Sequence, residues 1–283
     1  MMSAIDLERS VNLIPWRARR WIKHIPVVAG LQRMYFRKFL SGREFLHEIN
    51  AGPAKGLIYP ISLPLDKAIW AGTYESDLAS AVAAAVNQGD VCYDVGAYRG
   101  FFSGVFALAG AGDVLAFEPL PENYAQLQRL AANNPQLPLR LEPIALGSEE
   151  GLAEFSVMPD SSMGKLADSS FQSDAPRASI LQVPRRTLDG LTSESAYPPP
   201  QVMKIDVEGA EAEVLQGAMK TLQTARPILF IEAHSQPLAN NCTQLLEGLG
   251  YSVRVFEKER ALARDSSLGI CHLVATHERH DGA

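Results

Sequence analysis

The sequence predicts an α/β fold: a doubly wound, mostly parallel sheet closed by a terminal antiparallel hairpin. Three observations predict it. From Asp90 onward, short apolar runs alternate with amphipathic segments, the pattern of right-handed βαβ units. The run Val91–Val95 enters a glycine-bearing turn, Gly96-Ala97-Tyr98-Arg99-Gly100, followed by apolar residues at helical spacing. Acidic residues end four of the strands: Asp94, Glu118, Asp206 with Glu208, and Glu232 beside His234. A helical N-terminal extension and a β-hairpin insertion complete the architecture.

Composition bounds the function. The chain has 283 residues, is 47% hydrophobic and carries a formal net charge of -6. A full core is available, and the charge argues against a general nucleic-acid binder. Cys92, Cys242 and Cys271 lie far apart in apolar contexts and read as buried, reduced thiols. No apolar run approaches the roughly 18 residues that span a bilayer. No apolar segment with a small-residue cleavage site marks the N-terminus, so the expected location is the cytoplasm.

Residues 1–50 read as a basic helical extension. The first 43 hold nine basic and two acidic residues, a net of +7, which leaves -13 for the remainder. Trp16, Trp21, Tyr35 and Phe36 are interleaved with the basic residues. Two readings stand: helices packed on the main domain with solvated Arg outside, or a surface for an anionic membrane or partner. Pro15 and Pro26 exclude one long membrane-lying helix.

Residues 51–276 read as the main domain. Gly56–Leu63 suggests short strands, and Asp77–Val86 a helix. Glu75 and Asp77 precede or open that helix, where its dipole favours acids; Glu75 is also a candidate substrate contact. Strand Val91–Val95, helix Arg99–Ala109, strand Asp113–Phe117 and helix Pro121–Ala132 follow, with Pro121 suited to a first helical position. Strand Leu139–Leu146 comes next. Residues 147–200 interrupt the rhythm with two strand-like runs, Ala153–Val157 and Ser179–Val183, read as a hairpin insertion with a mobile tip, Pro159 to Ala178. Strand Val202–Val207, helix Glu208–Gln223, strand Ile228–Ala233 and a helix around Cys242–Leu249 resume the alternation. Tyr251–Phe256 and Ile270–Thr276 form the closing hairpin, and residues 277–283 are a polar tail.

In open α/β sheets the ligand lies beyond the carboxyl ends of the strands, at the switch in strand order. The first turn does not fit the G-x-G-x-x-G spacing of a dinucleotide site. Asp94 leading that turn suits a cationic ligand, and S-adenosylmethionine carries ammonium, sulfonium and a carboxylate for the helix N-terminus. Glu118, 24 residues later, is placed for a bidentate bond to ribose hydroxyls; a helix cap is its structural alternative. Lys204, Asp206 and Glu208 alternate along what should be an apolar central strand, a break in local rules that points to function. An internal Lys204–Asp206 ion pair is the structural alternative. Glu211 and Glu213 read as acids matched to a helix dipole. His234, with Glu232 two residues before it on the same strand face, is a candidate general base or substrate contact.

Taken together, Asp94-Val95-Gly96-Ala97, Phe117-Glu118-Pro119, Lys204-Ile205-Asp206-Val207-Glu208-Gly209-Ala210-Glu211, Val214–Ala218 and Ile231-Glu232-Ala233-His234 resemble the FkbM family of methyltransferases. Gly72-Thr73-Tyr74-Glu75 and Arg186-Thr187-Leu188-Asp189 extend the resemblance, which runs from about residue 72 to 235. It implies a class I methyltransferase, Rossmann-like sheet, S-adenosylmethionine as methyl donor, and usually O-methylation of a sugar or other natural-product hydroxyl. The cofactor set is then Asp94, Gly96, Ala97, Tyr98, Gly100, Glu118, Pro119 and Ala145. The catalytic set is His234, Asp206 and Lys204, and the substrate set is Glu75, Glu208 and Glu232. Carboxylates at Asp206 and Glu232 suit a bridging magnesium ion, but the ligand set is too thin and no metal is assigned. The turn departs from the family's pattern, which more often has Asn and a smaller residue where Tyr98 and Arg99 stand. The competing readings are an NAD(P)-dependent oxidoreductase and a non-catalytic binding or scaffold protein.

Overall fold

A computed structural model describes residues 44–63, 65–157, 164–166, 179–256 and 270–277. The mobile-tip reading falls mostly outside these residues, as does the extension up to Arg43. The chain forms two compact units, 1–76 and 77–283. The end of the expected helical extension is not helical: β1 (Glu44–Glu48) is a strand paired antiparallel with β2 (Ile58–Ser62). Its residues alternate between exposed and buried, with Phe45 and His47 inward, so period two overrides helix. A short helix, α1 (Lys67–Trp70), completes this unit.

The helix α2 (Ser76–Ala85) starts at the last residue of the first unit and otherwise lies in the second. Among the described residues its sheet has seven strands: β3 (Val91–Val95), β4 (Asp113–Phe117), β5 (Leu139–Glu142), β10 (Val202–Ile205), β11 (Ile228–Ala233), β12 (Tyr251–Val255) and β13 (Cys271–His277). Their spatial order is β12-β13-β11-β10-β3-β4-β5. The five strands from β11 to β5 are parallel, and β13 is antiparallel to both neighbours. The closing hairpin therefore folds back so that its second strand, not its first, joins β11. Tyr93, Val95, Leu115, Phe117, Met203, Ile205, Leu229 and Ile231 are essentially inaccessible, as expected of parallel strands covered on both faces.

The parallel strands are linked by α3 (Phe101–Leu108) and α4 (Pro121–Asn133) on one side of the switch in strand order. On the other side lie α6 (Glu211–Gln216), α7 (Met219–Ala225) and α8 (Gln236–Gly248). α8 starts earlier than its apolar spacing suggested, because the Ser235 hydroxyl accepts from the Leu238 N–H (3.3 Å) and caps it.

Three differences from the sequence reading have identifiable causes. The strand expected over Leu139–Leu146 divides at Pro143 into β5 and β6 (Ala145–Leu146). Proline cannot donate to the ladder, and β6 joins a second sheet, of four strands among the described residues. That sheet is the insertion: β7 (Gly151–Val157), β8 (Gly164–Leu166) and β9 (Ser179–Arg186), so the expected hairpin gains a third strand.

The helix expected over Glu208–Gln223 becomes α6 and α7. A Cβ at Gly217 would lie 1.9 Å from the Gly147 carbonyl oxygen, so the junction is a close crossing that only glycine permits. The Asp189 carboxylate accepts from the N–H groups of Lys220 (2.9 Å) and Thr221 (2.7 Å) and so caps α7. Thr187 caps a further short helix, α5 (Leu188–Thr192), and Arg186 pairs with Glu150 and Glu194. The Arg186-Thr187-Leu188-Asp189 element thus holds the insertion to the helices.

Candidate active site

The strand order reverses between β3 and β10, and this is where the polar strand ends meet. The turn after β3 is wedged between its neighbours. Gly96 and Ala97 donate their N–H groups to the Phe117 carbonyl (3.0 and 2.9 Å), and the Asp206 N–H donates to the Val95 carbonyl (2.9 Å). Gly96 has φ 80, and a Cβ there would lie 1.8 Å from the Asp206 carbonyl oxygen, so the two strand ends can approach only over glycine.

The hydrogen bonds to the acids on this side come from uncharged donors. Asp94 is 1% exposed and accepts from the Ser103 hydroxyl at 2.6 Å. Burial raises its pKa, against the Lys204 charge and the Ser103 hydrogen bond. Glu118 is 4% exposed; one oxygen accepts from the Tyr98 N–H and the other from the Leu120 N–H, both at 2.9 Å. Burial pushes its pKa up to about 7, against those hydrogen bonds. Glu118 therefore ties the glycine turn to the end of β4. Tyr98 is left-handed, φ 50, at a position where asparagine would be at ease. The Arg99 guanidinium lies 6.0 Å from its ring. Beside the turn, Gly96, Pro119, Ile144, Ala145, Phe155 and Val207 help line a small apolar cleft that is partly open to solvent. It joins Gly96, Pro119 and Ala145 of the expected cofactor set.

The other side is held by charges. Lys204, opposite Asp94 in the β10–β3 register, is 3% exposed. Its ammonium bonds Asp206 at 2.8 Å and lies 4.6 Å from the centre of the Phe102 ring. It stands behind the site as the link between Asp94 and Asp206. The strand ends at Ile205, so Asp206 and Glu208 do not continue one strand face with Lys204; Glu208 sits on a left-handed residue, φ 55. Both carboxylates nevertheless turn to His234. Its Nε2 lies 3.3 Å from Glu208, 3.7 Å from Asp206 and 3.8 Å from Glu232.

Glu211, which spacing marks as a helix-dipole acid, is instead completely buried and meets His234 Nδ1 at 2.9 Å. Its position inside the Asp206–Glu211 element was the available signal; the partner 23 residues away was not visible. His272 was also missed. It lies opposite Glu232 in the β11–β13 register, with its Nε2 3.1 Å from that carboxylate.

These contacts set the protonation. Burial alone would lower His234, but the Glu211 hydrogen bond and the charges of Asp206, Glu211 and Glu208 raise it to about 9. Burial raises Asp206 to about 6, held back by Lys204, and Glu208 to about 7, held back by His234. Burial would raise Glu232, yet the His272 hydrogen bond and the charges of Lys204, His272 and His234 hold it down at about 2. At neutral pH His234 is thus an imidazolium among carboxylates. Donor atoms of Asp206, Glu232 and His234 also lie within 4.8 Å of one another, close enough to share a divalent cation. Glu75 belongs to the first unit and has a left-handed backbone, φ 41; its candidacy as a substrate contact remains as the sequence left it.

The chain is similar to the hexuronic acid methyltransferase AglP of Haloferax volcanii, with 27% identity over 186 residues, 66% of this chain and 73% of that one. Among solved structures it is similar to the FkbM methyltransferase of Methylobacillus flagellatus KT, at 16% identity and a TM-score of 0.48 over 67% of this chain. It spans only 44% of that protein's length. It is also similar to a SAM-dependent O-methyltransferase of Thermotoga maritima, at 12% identity and a TM-score of 0.43 over 73% of this chain and 67% of that one. Residues 94–253, more than half of the chain, match the methyltransferase FkbM domain, and the chain belongs to that family.

Proposed function

We propose that the protein transfers a methyl group from S-adenosylmethionine to a hydroxyl of a sugar, glycan or related small molecule. The observation that carries this reading is the convergence of Asp206, Glu208 and Glu232 on His234, next to the cleft at the switch point. The name of the AglP relative supports a sugar acceptor. The family favours methyl transfer over an NAD(P)-dependent reaction. A scaffold protein would not need His234 and Asp206 turned toward each other.

The residues present fit the donor. The apolar cleft beside Gly96 and Pro119 would take the adenosyl group, with Glu118 at the ribose and the turn Gly96–Gly100 at the amino-acid end. When bound, S-adenosylmethionine supplies an activated methyl group on sulfur, so the protein's share is alignment, exclusion of water and removal of the hydroxyl proton. Of the two proton acceptors the sequence nominates, His234 is 3% exposed and keeps its own proton up to about pH 9. Asp206 is more open, its side chain 25% exposed, and it ionises near pH 6. The acceptor proton therefore goes to Asp206, with Lys204 and His234 holding its two oxygens and Glu208 and Glu232 contacting the acceptor. Incubation with labelled S-adenosylmethionine and a panel of sugars, glycolipids and small alcohols tests the proposal. Label on a hydroxyl oxygen is expected. Label on nitrogen, or donor binding without transfer to any hydroxyl, would count against it.

A further inference from the structure

We propose that Glu211 is the positioning residue of this site, a buried carboxylate that fixes the His234 ring and the left-handed turn carrying Glu208. The inference rests on the functional reading above and adds a residue to it. One oxygen of Glu211 does both tasks. It meets His234 Nδ1 at 2.9 Å and accepts the N–H groups of Gly209 at 3.0 Å and Val207 at 3.3 Å. Those two amides flank Glu208, so the strained φ of 55 is held from both sides.

A dipole-matching acid needs none of this. Such an acid sits at a solvated helix end, whereas Glu211 is 0% exposed and its second oxygen is buried without a hydrogen-bond partner among the described residues. An ionised carboxylate is buried only at high cost unless it is paired. The partner here is an imidazole. With Nδ1 committed to Glu211, Nε2 is the nitrogen left to face Glu208, Asp206 and Glu232. Glu211 acts through His234 and does not touch the acceptor.

The charged groups around the ring come from every neighbouring element. Glu211 lies on α6, Asp206 and Glu208 on the preceding turn, and Glu232 on β11. Lys204 stands behind Asp206, and His272 stands behind Glu232. Cys242 on α8 also feels Glu211, and its thiol, pushed up to about 12 chiefly by burial, stays neutral.

The test is the Glu211→Gln protein, read by NMR titration of the His234 ring, by kcat and by donor KM. The glutamine oxygen can still accept from Nδ1–H and the two amides, so the ring stays in place but loses its counter-charge. Its titration midpoint should fall by about 1 to 3 pH units. Turnover should fall on the order of 10- to 100-fold, with donor KM within about twofold. In a His234→Gln background the same change should cost nothing further, because its effect passes through the imidazole. An unchanged His234 midpoint, or a full additional loss in the double variant, would overturn the proposal. If Glu211→Gln does not fold, Glu211→Asp keeps the charge and moves it back by one methylene. The midpoint should then stay high while kcat falls, and wild-type turnover would refute the positioning role. The titration needs no methyl acceptor, so absence of transfer would count against the functional reading and leave this one standing.

Discussion

The two halves of the crevice hold their acids in opposite ways. At the ends of β3 and β4, Asp94 and Glu118 are held by a hydroxyl and by backbone N–H groups. At the ends of β10 and β11, Asp206, Glu208 and Glu232 are held by Lys204, His234 and His272. Fixed neutral donors shape a pocket without changing charge during a reaction cycle, which suits recognition of a cofactor. A network of titratable cations and carboxylates can take up a proton and redistribute it, which suits the chemical step. The two halves touch through Lys204, between Asp94 and Asp206, and through Gly96, whose missing side chain lets the Asp206 carbonyl approach.

The sharpest way to break this comparison is Asp206→Asn. It should lower kcat by about 10²–10⁴ and leave the donor dissociation constant nearly unchanged. Rate measurements and calorimetry on one preparation check it, and equal losses in both would show that the division is false. On the proposed role of Asp206 as proton acceptor, kcat of the wild-type protein should rise with pH through about 6, where its carboxyl ionises.

A smaller effect is expected on the cofactor side. Glu118 accepts hydrogen bonds as a carboxylate and titrates near 7, so donor affinity should fall as pH drops below that value. Glu118→Gln should weaken binding by about tenfold, as loss of a charged hydrogen bond of ~1.5 kcal/mol would, and flatten the pH dependence. Calorimetry from pH 5.5 to 8.5 reads both.

The smallest effect belongs to the turn itself. Tyr98→Asn relieves a left-handed φ at a bulky residue and should stabilise the fold by about 1 kcal/mol. Thermal unfolding would show a rise of roughly 2–4 °C.

Much of the fold was legible because alternating apolar runs are local signals. Strands β3, β4, β10 and β11 and helices α3 and α4 lie within a few residues of their expected bounds. Breaks set by distant packing were not legible. Gly217 looks like any helix-interrupting glycine until Gly147 is seen against it, and the division of Leu139–Leu146 depends on β9 being available to pair with β6. In the site, the carboxylates at strand ends could be collected from sequence because topology gathers strand ends. Glu211 and His272 escaped because each matters through one partner, His234 or Glu232, brought close by the packing of α6 on β11 and the insertion of β13 beside it.

The sequence by itself determined which elements form and which residues could carry charge to the crevice, since both follow from short-range periodicity and composition. Only the tertiary structure decided how those charges pair. Of the two readings of Lys204 it brought out the buried ion pair with Asp206, and it turned Glu211 from a helix-end acid into the partner of His234. The physical reason is that the energy of a buried charge depends on what lies within a few ångströms of it, and those neighbours come from strands far apart in the chain.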